Sequence, residues 1–139
     1  MTLFTLESNK KALLIRVFVY IGITAFIALF GAVYEQYSHN VHTLYMWLAW
    51  IWVLGFGVIP YLLLYFLPLK KMPGIITESI YNLGVALITA RSIYKGVIII
   101  YNTTNEPIVV TYTVLSIVFL SLGAISFALS LFFSKKEQE

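Results

Sequence analysis

Long apolar stretches alternate with short polar connections along the whole chain. Four of the stretches reach the roughly 20 residues that a helix needs to cross a hydrocarbon core of about 30 Å. They run over residues 12–34, 43–67, 74–101 and 108–133. Each is almost continuously apolar, without the period-two alternation of a barrel strand, and a closed barrel would need many more segments. The pattern predicts an all-α integral membrane protein, with residues 1–139 forming a single domain of four transmembrane helices. The first stretch is too long for a secretory signal and has no small-x-small cleavage site ahead of Tyr34 and Glu35, so it is expected to stay attached.

The connections are short, which makes consecutive helices antiparallel neighbours and predicts an up-down-up-down bundle. Small residues suggest where these helices meet, because association in lipid depends on close backbone approach. Ser116, Gly123, Ser126 and Ser130 form one such stripe on the fourth helix, Gly84 with Ala86 and Ala90 another on the third, and Gly22, Ala25 and Ala32 a third on the first. Pro60 removes one backbone hydrogen bond from the second helix and is expected to kink it near Phe56. No internal repeat is evident, so a complete transporter within one chain lacks its usual signature.

Composition removes several classes. The chain is 60% hydrophobic and only 11% charged, too little polar surface to cover a domain in water. It has no cysteine and no aspartate, which excludes thiolate catalysis, iron–sulfur clusters and aspartate-based triads or dyads. Disorder needs low hydrophobicity. A nucleic-acid partner needs a dense basic face, which is absent here.

Charge placement changes the picture more than the net value of +3 does. Lys10, Lys11, Arg16, Lys70, Lys71, Lys135 and Lys136, seven of the nine basic residues, flank the same ends of the predicted helices. The other two connections carry no lysine or arginine. The positive-inside rule then puts both termini in the cytoplasm, with the plasma membrane as the expected location. Tyr34, Tyr37, Tyr45, Trp47, Tyr94, Tyr101 and Tyr112 fall near the opposite headgroup level, as an aromatic belt does.

Two basic residues break this asymmetry. Arg91 lies well inside the third stretch, where an arginine costs at least about 2.5–3.5 kcal/mol on insertion scales. Lys95 follows one turn later on the same face, and like charges at this spacing repel. The pair is expected to turn into the bundle toward an anionic or oxygen-rich partner. The simpler alternative has Lys95 snorkelling outward and Arg91 meeting lipid phosphate or helix-end carbonyls. Tyr34, Glu35, Arg91, Lys95 and Tyr112 share the outer half, so they form the candidate lining of a polar cavity for an anionic guest. For Arg91 the expected partners are Glu35 or hydroxyls of the fourth helix.

A second constellation is Glu35, His39 and His42. If the first helix continued through them, their spacing would place two imidazoles and a carboxylate on one face, suiting a transition metal or a haem. Asn40 and Ser38 favour a turn instead, which would leave two ordinary loop histidines. Glu78 opens the third helix, where an acid complements the macrodipole.

No recognisable catalytic set accompanies these features. The function expected is that of a non-enzymatic membrane protein acting through a protein partner, a second copy of itself, or a bound lipid or other anionic ligand. An accessory subunit, an assembly factor or a sensor fits that description. Anion or small-solute transport by an oligomer is the first alternative, and a haem- or metal-binding redox protein using His39 and His42 is the second.

Overall fold

The structure, a computed structural model, describes residues 3–38, 41–67 and 72–136, with side chains over 7–132 within them. The described residues are all-helical, without a strand. The first helix runs over Leu3–Gln36. The second segment, Leu44–Phe66, is divided into Leu44–Trp47, Ala49–Val53, a π-helical turn at Leu54–Val58, and Ile59–Phe66. The third helix is Ile75–Ile100 and the fourth Glu106–Lys136. All four are long and apolar enough to cross a membrane.

The helix ends follow from the sequence. Thr43 caps the second segment, its hydroxyl accepting from the Met46 N–H at 3.3 Å. The third helix closes through Asn102 at φ 51°, in the left-handed region that asparagine tolerates better than most residues. There Asn102 N–H bonds Ile99 O at 3.1 Å and Thr103 N–H bonds Ile98 O at 3.0 Å, which satisfies two carbonyls of the last turn.

Pro60 acts where its missing N–H predicts, but through a widened turn rather than a simple kink. Ile59 N–H reaches back five residues to Leu54 O. The Phe56 carbonyl, whose α-helical donor would be residue 60, accepts instead from the Tyr81 hydroxyl of the third helix at 2.9 Å.

Packing joins the first helix to the second, the second to the third, and most extensively the third to the fourth. Among the described residues the fourth helix shares no comparable packing with the first or second. Glycines set the close approaches. A Cβ on Gly31 would stand 2.9 Å from Met46 O, and one on Gly96 would stand 2.8 Å from Met46 Cβ. Met46, 1% exposed, is thus held between the first and third helices. Across the other seam, a Cβ on Gly84 would lie 2.7 Å from Leu120 N, and one on Gly123 would lie 2.7 Å from Tyr81 Cβ.

Ser116 and Gly123 are buried on the fourth helix, as the small-residue stripe anticipates. The first-helix stripe is different. Gly22, Ala25 and Ala32 are exposed, and a Cβ on Gly22 would meet nothing within 4 Å. Gly31 is the small residue of the first helix that the seam uses, because its Cβ position faces the Met46 carbonyl. Ala86 is exposed as well, while Gly84 carries the contact.

Candidate functional site

The first helix ends at Gln36, and Tyr37 and Ser38 turn the chain. That turn removes the helical spacing that would align Glu35 with both histidines. His39 lies outside the described residues. His42 still meets Glu35, its Nδ1 lying 3.3 Å from Oε2, but across the loop rather than along a helix face. The Glu35 carboxylate, 7% exposed, also accepts from Thr43 N–H at 2.9 Å. It holds a donor at the start of the second helical segment, in the position where a helix favours negative charge. Among the described residues no group of three or more acidic or histidine side chains could hold a metal ion.

Arg91 and Lys95 diverge. The Arg91 side chain turns toward the fourth helix and donates through Nε to Thr113 Oγ1 at 2.6 Å. The Thr113 hydroxyl itself donates to Val109 O at 2.8 Å, so its oxygen is oriented to accept. Lys95 turns toward the second segment, with Nζ 4.6 Å from the centroid of the Tyr45 ring. Divergence relieves the like-charge repulsion expected at this spacing. Of the partners anticipated for Arg91, the fourth-helix hydroxyl is the one present. Tyr112 packs on Tyr94 with centroids 6.1 Å apart, and Asn105 donates to the Tyr94 hydroxyl at 3.2 Å.

Tyr34 and Glu35 face different hollows. Tyr34 lines one of about 480 Å³ with Phe30, Tyr37 and Tyr101, whereas Glu35 lines one of about 340 Å³ with His42, Thr43 and Trp47. The structure therefore brings Arg91 to Thr113, Lys95 to Tyr45 and Glu35 to His42.

A polar cluster that the sequence reading did not anticipate lies at the opposite end. Arg16 grips Glu78 in a forked pair, Nε to Oε1 and Nη2 to Oε2, the latter at 2.7 Å. The Tyr61 hydroxyl is shared between Glu78 Oε1 at 3.2 Å and Asn82 Oδ1 at 3.0 Å, and Tyr20 donates to the same Asn82 oxygen at 2.7 Å. The Tyr20 and Tyr61 rings stack at 5.5 Å. Three helices are tied by these five side chains.

One signal could have exposed this cluster. Arg16 and Glu78 both lie about one turn inside the same end of their apolar stretches, and opposite charges at matched depth are candidate partners. Glu78 also keeps its place in the first helical turn, so its dipole role and its ion pair coexist.

Arg16 is neutralised by Glu78, and the Glu35 carboxylate meets the His42 ring and a backbone donor. Among the described residues Arg91 and Lys95 have no carboxylate partner. Together these features define a four-helix bundle with the composition of an integral membrane protein, closed by an ion pair at one end and left with two unneutralised cations toward the other. No family model, no curated protein and no solved structure matches the chain.

Proposed function

We propose that this is a non-enzymatic protein of the plasma membrane, an up-down-up-down bundle with both termini in the cytoplasm. It holds an anionic group on Arg91 and Lys95 in the outer half of the membrane. The anion is a lipid headgroup or an acidic group of a partner, and the protein serves as an accessory subunit, assembly factor or sensor. The carrying observation is the charge imbalance: among the described residues, two cations inside a spanning helix meet a hydroxyl and an aromatic ring but no carboxylate.

The physical reason is cost. A guanidinium has five donors, and Thr113 takes one of them. In hydrocarbon the remaining charge is expensive unless it is paired or reaches water, so such residues mark functional sites by default. Cytoplasmic termini are supported by the seven basic residues at one set of helix ends.

Purification in a mild detergent tests the proposal. The wild-type protein is expected to retain a component bearing an acidic group, lipid or protein, that the Arg91→Gln/Lys95→Gln variant loses. Equal retention by a variant that still folds counts against it.

A further inference from the structure

Among the described residues the second and fourth helices both pack on the third and share no comparable packing with each other, which leaves a groove floored by the third helix. At the Arg16 end this groove widens into a hollow of about 350 Å³, lined among others by Pro60 and Leu64 of the second segment, Thr77 and Tyr81 of the third, and Ala124 and Phe127 of the fourth. Tyr81, Ile88 and Lys95 recur every seven residues along one stripe of the third helix, so the floor leads from the hollow to Lys95. Arg91 leans to the wall formed by the fourth helix and Lys95 to the wall formed by the second. One end of the groove is therefore apolar and the other is flanked by two unneutralised cations.

We infer that this groove seats one anionic phospholipid lengthwise, with its phosphate between Arg91 and Lys95 and one acyl chain directed toward Tyr81. The inference rests on the reading of Arg91 and Lys95 as an anion site and adds the ligand's class and orientation. Arg91 and Tyr81 are ten positions apart in sequence, about 15 Å of helix, a length that one acyl chain can follow. Charge agrees too, since a phosphate supplies the acceptors that Thr113 alone cannot. The hollow reaches from Leu67 and Pro73, at the helix ends, to Tyr81 and Gly123 inside the apolar helices.

The test uses the full chain in detergent, with native mass spectrometry reading bound phosphatidylglycerol against phosphatidylcholine, and glycerol phosphate as a chain-free headgroup. Phosphatidylglycerol is expected to outcompete phosphatidylcholine by about tenfold or more, a difference of about 1.4 kcal/mol. Ala124→Trp, which fills the hollow, should lower phosphatidylglycerol binding by a similar factor and leave glycerol phosphate binding unchanged. Leu64→Trp fills it from the other wall and serves if the first variant does not fold. Arg91→Gln/Lys95→Gln should lose both ligands. Phosphatidylglycerol binding that ignores both tryptophans, or that matches phosphatidylcholine, overturns the groove assignment. If glycerol phosphate still depends on Arg91 and Lys95 in that case, the anion site survives without the groove. If neither ligand depends on the two cations, both readings fall.

Discussion

The Tyr81 hydroxyl donates to the carbonyl of Phe56 at 2.9 Å, closing the gap that Pro60 opens in the second helix. Pro60 has no N–H to offer the residue four places before it, and a bare carbonyl inside a membrane costs several kcal/mol. Tyr81 also carries the close approach to Gly123, so one residue of the third helix fits both the damaged turn and the fourth helix.

Tyr81→Phe removes the donor and little else, with an expected loss of about 1 kcal/mol, the scale of interhelical hydrogen bonds in membranes. Pro60→Ala restores a backbone N–H. In the Pro60→Ala background the same Tyr81→Phe change should cost measurably less. Chemical denaturation of the four proteins in mixed micelles provides the cycle, and an unchanged cost in both backgrounds would show that the hydroxyl is not serving the proline gap.

Arg16 and Glu78 give the largest expected stability effect. Glu78→Gln leaves a guanidinium without its anion, and Arg16→Met leaves a carboxylate without its cation. Each should cost about 3 kcal/mol, the low end for a buried pair because the Arg16 side chain is 31% exposed. The double substitution Arg16→Met/Glu78→Gln should recover part of the sum, since no unpaired charge remains. Strict additivity in the same denaturation assay would contradict a direct pair.

Small residues that look alike in sequence should separate sharply. Gly123→Ala puts a methyl 2.7 Å from Tyr81 Cβ and 3.0 Å from its backbone nitrogen, so it should destabilise by about 1–3 kcal/mol. Gly22→Ala meets open space and should be neutral, or stabilising by up to about 1 kcal/mol through helix propensity. Thermal unfolding of the two variants checks this contrast, and equal effects would mean that the seam is misplaced.

Glu35 and Arg91 have separate partners, so they should behave independently. Glu35→Gln weakens the contacts to His42 and the Thr43 amide, and Arg91→Met removes the bond to Thr113. Their stability effects are expected to add within about 0.5 kcal/mol. A large coupling energy would restore a direct pair between them.

The contrast between what the chain reveals and what it hides follows the range of the forces involved. Four membrane-length helices were legible because hydrophobic length is a local property of the sequence. The place where Pro60 disturbs its helix was legible because a missing N–H is local as well, but the π-helical turn and the Tyr81 hydroxyl that answers it were not. The side to which each cation leans was not, because Arg91 and Lys95 share a helical stripe and only their neighbours Thr113 and Tyr45 draw them apart. Arg16 with Glu78 needed a comparison of depth between helices rather than position within one. The Glu35–His42 contact arises from a loop, and helical spacing does not describe a loop.

The most direct test of the anion site is the melting temperature of the purified protein, titrated with an anionic and then a zwitterionic amphiphile of equal chain length. A ligand at a hundred times its dissociation constant adds about 2.7 kcal/mol to stability. The account predicts a saturable rise with the anionic amphiphile, weakened by salt, and little or no rise in Arg91→Gln/Lys95→Gln. An equal rise with both amphiphiles, or an unchanged rise in that variant, would contradict it.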